Sequence, residues 1–124
     1  MIKVVLVKNS GDLKSEHVFL QVDEDCNLGD YVLTDSTYGS HDKPSNKLRH
    51  VFFFPRMDVK KGDYVSLWTK EGTYEKATTT TKKPLHRLYW GLKETVWNID
   101  GDKAFLLTAP RARRSEVLIP PKKE

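Results

Sequence analysis

A chain of 124 residues is long enough for one domain with a real core and too short for two. Its apolar fraction of 38% is modest, yet three Trp, five Tyr and five Phe supply bulky core material. A single cysteine, Cys26, excludes an intrachain disulfide, and with only four histidines it argues against a structural zinc site. The formal charge of +4 is unevenly placed: residues 110–124 hold Arg111, Arg113, Arg114, Lys122 and Lys123 against Glu116 and Glu124, while the rest is nearly neutral.

In chain order, Ile2 to Val7 is rich in β-branched residues and stops at the turn formers Asn9-Ser10-Gly11-Asp12, which predicts a strand and a turn. Glu16 to Val22 alternates, with Val18, Leu20 and Val22 on one side, as a strand with one face in the core does. Asp23-Glu24-Asp25 reads as a solvated acidic loop. Adjacent acids on an extended chain point to opposite sides and lack the spacing of a calcium loop. Leu28-Gly29-Asp30 turns the chain into a strand beginning at Tyr31-Val32-Leu33. The stretch Thr34 to Asn46 is a long surface loop by its Asp, Ser, Gly and Pro content.

Arg49 to Phe54 carries aromatics on both faces, which predicts a strand near the centre of the structure. Tyr64 to Thr69 alternates again. The polar run Thr78 to Pro84 is assigned to a mobile loop, and Leu85 to Tyr89 to a short extended segment. Asp100-Gly101-Asp102 is a turn signal before a strand over Lys103 to Thr108. Val117-Leu118-Ile119 is expected to add an edge strand, stopped by Pro120-Pro121. No window sustains a helical period, so the expectation is an all-β sandwich or barrel of about eight short strands. The domain is placed at residues 1–109, with a basic tail over 110–124.

Three segments, in order, resemble the lamin tail domain family. These are Asn27-Leu28-Gly29-Asp30-Tyr31-Val32-Leu33-Thr34-Asp35; the aromatic strand Val51 to Pro55 with Lys61-Gly62-Asp63-Tyr64-Val65; and Leu88-Tyr89-Trp90-Gly91 with Val96-Trp97-Asn98 and Gly101-Asp102-Lys103-Ala104-Phe105-Leu106. The match spans about residues 2 to 108, and Tyr31 stands where the family often has Trp. The resemblance implies an immunoglobulin-like β-sandwich acting as an interaction module. It brings no catalytic residues with it.

The residues themselves carry little chemistry. His17, His41, His50 and His86 have no metal-site spacing, and His17 and His50 are expected as half-exposed strand residues. Cys26 follows three acids that disfavour its thiolate, so it reads as an inert strand-end residue. No phosphate-binding glycine loop or serine elbow is present. The expectation is therefore a non-enzymatic module with no cofactor, monomeric or weakly dimeric, cytoplasmic and without a membrane span, that binds a protein partner. The competing reading is a nucleic-acid-binding domain. It would use Lys82, Lys83 and Arg87, interleaved with Tyr89 and Trp90, and the tail residues Arg111, Arg113 and Arg114. In the first reading Trp90 and Trp97 are core aromatics and the tail cations belong to a solvated terminus.

Overall fold

The computed structural model describes residues 1–36, 50–97, 103–110, 113–115 and 117–120. Among them the fold is all-β. Its strands are β1 Ile2–Lys8, β2 His17–Val22, β3 Cys26–Asn27, β4 Tyr31–Ser36, β5 Val51–Phe53, β6 Asp58–Val59, β7 Tyr64–Trp68, β8 Glu75–Thr78, β9 Pro84–Tyr89 and β10 Lys103–Thr108. A 3-10 turn, Leu28–Asp30, leads into β4.

The strands form a five-stranded sheet in the order β1-β2-β7-β9-β8, a three-stranded sheet in the order β10-β4-β5, and the short pair β3-β6. Every pairing is antiparallel except β7 with β9.

The core follows from period-two alternation. Val18, Leu20 and Val22 of β2 and Val65 and Leu67 of β7 face one way, each at most 1% exposed. They pack in one cluster with Leu88 of β9, Tyr31 and Leu33 of β4, and Leu28, Phe54, Val59, Val96 and Trp97. Burying a Val or Leu side chain of this kind is worth about 1.5–3 kcal/mol, so the β2–β7 pair contributes a large share of the driving force.

Asn27 organises the entry to β4. Its Oδ1 accepts from Gly29 N at 2.9 Å and from Met57 N at 3.2 Å, while its Nδ2 donates to Asp58 Oδ1 at 3.2 Å. Gly29 is required there by space: an added Cβ would lie 2.9 Å from Arg56 Cγ and 3.0 Å from Arg56 Cα.

Three expectations are corrected. First, β5 lies at the edge of its sheet, not near the centre, and Phe53 is 63% exposed. Aromatics on both faces arise there because Phe52 and Phe54 turn into the core while Phe53 points away from it. Second, Thr78 to Pro84 is a built hairpin. Thr79 N donates to Lys83 O at 2.8 Å, Lys82 N donates to Thr79 O at 2.9 Å, and Lys82 adopts a left-handed φ of 62° to close the turn. Third, Val117, Leu118 and Ile119 pair with no strand among the described residues and are 84–86% exposed. The Asp100-Gly101-Asp102 turn, His41 and most of the expected loop over Thr34 to Asn46 lie outside the described residues.

Candidate functional site

The groups with most potential for chemistry are the buried ionisable ones. Glu16 is fully buried and leads into β2. Its Oε1 accepts from Gly11 N at 2.9 Å. Its Oε2 accepts from Thr69 Oγ1 at 2.5 Å, Val96 N at 2.8 Å and Trp97 N at 3.4 Å. A carboxylate sealed from solvent, with its lone pairs taken by the fold's own donors, is a structural clamp.

Asp63, His86 and Tyr74 form a hydrogen-bonded relay. Asp63 Oδ2 lies 3.0 Å from His86 Nε2, and His86 Nδ1 lies 2.9 Å from Tyr74 Oη. The carboxylate also accepts from Lys60 N at 3.0 Å. A neutral imidazole that donates from Nε2 and accepts at Nδ1 satisfies all three groups. The relay joins the turn before β7 to β9 and to the loop ahead of β8.

His50 and Asp35 form a second pair, Nδ1 to Oδ2 at 2.9 Å, reinforced by His50 N donating to Asp35 Oδ1 at 2.9 Å. Asp35 and His50, 15 positions apart in the chain, are thereby joined. His50 is not in a strand.

His17, expected to be half-exposed, is buried. It stacks on Trp68 with ring centroids 4.1 Å apart and donates from Nδ1 to Ser15 O at 2.8 Å. Burial pushes its pKa below the usual histidine value, and the charges of Lys8 and Arg87 act in the same direction. Cys26 is half-buried and unpaired. Its neighbour Tyr31 has its phenol pKa raised, first by burial and then by the charge of Cys26. Among the described residues no group of three or more His, Cys, Asp or Glu side chains could hold a metal ion. Nor is any described helix long and apolar enough to cross a membrane.

The predicted polyanion-binding residues fall on different parts of the fold. Lys82 and Lys83 are exposed in the β8–β9 hairpin turn. Arg87 sits in mid-β9, paired with Glu75 at 3.1 Å and with its guanidinium 5.8 Å from the Trp68 ring centroid. Trp68 is engaged by His17 and by the Lys70 and Arg87 cations, Trp90 packs against the core, and the Tyr89 hydroxyl donates to Glu75 at 3.3 Å.

Arg114 lies beside the three-stranded sheet. Its Nε donates to Ala109 O at 2.6 Å and its Nη2 to Gly29 O at 2.9 Å, and its guanidinium lies 5.7 Å from the Phe53 ring centroid. Arg113 is exposed, and Arg111, Lys122 and Lys123 lie outside the described residues.

What the sequence did not single out is the outer face of the three-stranded sheet. Tyr31, Leu33 and Phe52 face or pack against the core, so the alternate residues face away. The register aligns them in two cross-strand rows, Leu107 with Val32 and Phe53, then Phe105 with Thr34 and Val51. Phe53, Leu107 and Val51 on the flanking strands are 63%, 47% and 39% exposed, while Val32 and Thr34 between them are buried. Soluble proteins seldom leave large side chains contiguous on the surface without use for them. Alternation in Val32-Leu33-Thr34 carried the signal, but apolar residues on both sides of β4 concealed which face was covered.

No protein-family model matches this chain, and no curated protein matches it.

Proposed function

We propose that the chain is a non-enzymatic protein-interaction module, of the lamin-tail kind that its motifs resemble, and that its partner docks on the outer face of the three-stranded sheet. The observation that carries this reading is the set of exposed apolar side chains that flank β4 on this face, Phe53 and Val51 on one side and Leu107 on the other, with Arg114 over the Phe53 ring. An apolar centre with a cation at its rim is the pattern of a protein-binding patch, in which aromatic and Arg side chains supply most of the affinity. The histidine–carboxylate pairs support the non-enzymatic part of the reading, since each carboxylate is also tied into the fold by a backbone N–H, His50 N to Asp35 and Lys60 N to Asp63.

The nucleic-acid reading is favoured by Lys82 and Lys83, which stand exposed at the tip of the hairpin with no acidic partner among the described residues. One experiment separates the two. The immobilised chain is used to capture binding partners, alongside a Phe53→Ser/Leu107→Asp variant and a Lys82→Glu/Lys83→Glu variant, with and without nuclease. A nuclease-resistant protein retained by the second variant and lost by the first is the expected result. Nucleic acid retained by the first variant and lost by the second would replace the protein reading with the other.

A further inference from the structure

The five-stranded sheet carries a second site that is independent of the docking face. Its outward rows follow from the register: Leu6, Phe19, Ser66, Arg87 and Glu75 in one, Lys3, Gln21, Tyr64, Leu85 and Ala77 in the next. A cleft of about 460 Å³ lies on this face, bounded by Val5 and Leu6 on one side and by Thr78, Thr79 and Thr80 on the other. Strands stand about 4.8 Å apart, so the edges of a flat five-stranded sheet would be ~19 Å apart. That β1 at one edge and the β8–β9 hairpin at the other bound a single cleft means that the sheet curls around it. The bulge at Val5, where the β1–β2 register shifts between Val4 and Leu6, supplies such a bend and turns Val5 and Leu6 outward, 46% and 40% exposed.

The chemistry of the walls is asymmetric. Val5, Leu6, Phe19 and Leu85 give an apolar lining. Lys8 and Arg87 give two cations, and no acidic residue borders the space. Lys8 is exposed, with no carboxylate partner among the described residues. Arg87 spends one nitrogen on Glu75, while its Nε is buried and has no hydrogen-bond partner among the described residues. A buried guanidinium N–H without an acceptor is costly, and an anionic oxygen is the group that relieves it.

We infer that this cleft binds a small amphipathic carboxylate, with its apolar body against Leu6, Phe19 and Leu85 and its carboxylate between Lys8 and Arg87. The volume is within the ~300–1,000 Å³ of small-molecule sites. Thr78, Thr79 and Thr80 border the same space, and a threonine hydroxyl can bond an anion without adding charge.

The test is an amide chemical-shift titration of the whole chain with decanoate and with its uncharged analogue 1-decanol. Lys8→Gln and Arg87→Lys are titrated alongside, each first shown to fold by a dispersed spectrum. Saturable shifts at Leu6, Phe19 and Arg87 are expected with decanoate, and ~tenfold weaker binding for the alcohol and for Lys8→Gln. Arg87→Lys should also weaken it, because an ammonium lacks the planar fork. Equal affinity for the alcohol, unchanged affinity in both variants, shifts gathered around Phe53 and Leu107, or no saturable binding would each overturn the assignment.

Discussion

Replacing Glu16 by Ala should be among the most damaging single changes in the chain. The carboxylate is fully buried and accepts from Thr69 Oγ1 at 2.5 Å, Val96 N at 2.8 Å, Trp97 N at 3.4 Å and Gly11 N at 2.9 Å. Gly11 is exposed and can turn to water, so its loss costs little. Thr69 and Val96 are buried, and each donor left without an acceptor costs about 1–3 kcal/mol. The longer Trp97 contact adds less. Against this stands the relief of no longer burying a charge, which leaves a net loss of about 3–5 kcal/mol. Glu16→Gln keeps one acceptor oxygen; with that oxygen toward Thr69 and Val96, its amide faces only Gly11, and the loss falls to ~1–2 kcal/mol. Urea unfolding measures both, with the slope checking that the unfolding reaction is unchanged. A loss below ~1 kcal/mol for Glu16→Ala at constant slope would refute the clamp.

Three more perturbations probe separate parts of the fold. The pKa of His17 is lowered by burial, so the folded state favours neutral imidazole; its contribution is fully present above the ordinary value of about 6.5 and is lost as pH falls through that value toward the lower folded one. Unfolding free energy should therefore fall between neutral and mildly acid pH, and His17→Phe, which keeps the stack on Trp68, should flatten that slope in urea titrations repeated across pH. In Gly72→Ala the new methyl would sit 2.6 Å from Tyr89 Cγ, so the ring and its bond to Glu75 must move; a loss of about 1–3 kcal/mol, with altered near-ultraviolet circular dichroism, is expected. His86→Leu strips Asp63 of one partner and leaves it only the Lys60 N–H, and should cost about 2–3 kcal/mol in thermal or urea unfolding.

The elements that were legible in the sequence are those in which one face is core and the other is not. Val18, Leu20 and Val22 announce β2, and Val65 and Leu67 announce β7, because burial on one side imposes period two. Glu75–Thr78 announces nothing: an edge strand with only Ala77 as an apolar residue is made by its hydrogen bonds to β9, and the pattern has no face to report. Val117–Ile119 fails the other way, since β-branched residues favour a strand only where a partner edge is in reach. The polar clamps are invisible for a simpler reason. Glu16 meets Val96 across 80 residues and Asp63 meets His86 across 23, and no local spacing rule connects them. Runs of basic residues mark the polyanion candidates, and the fold separates them: the hairpin lysines stand at the turn between β8 and β9 of the five-stranded sheet, while Arg114 bonds to Gly29 and Ala109 beside the three-stranded one.

The strand order also governs when the chain can fold. Among the described strands, β1–β2, β4–β5 and β8–β9 pair neighbours in sequence, whereas β2 waits for β7, and β4 waits for β10, which ends at Thr108. On a ribosome the first hairpin would therefore emerge with the β2 edge bare, and the second sheet could not be completed until the last strand had cleared the exit tunnel. Topologies so dependent on distant pairing close slowly, because loop entropy is lost before contacts repay it. A folding intermediate lacking β10 would show its neighbours an unpaired β4 edge beside the apolar Phe53 row, so this period of synthesis is when the chain is most exposed to aggregation and to chaperones.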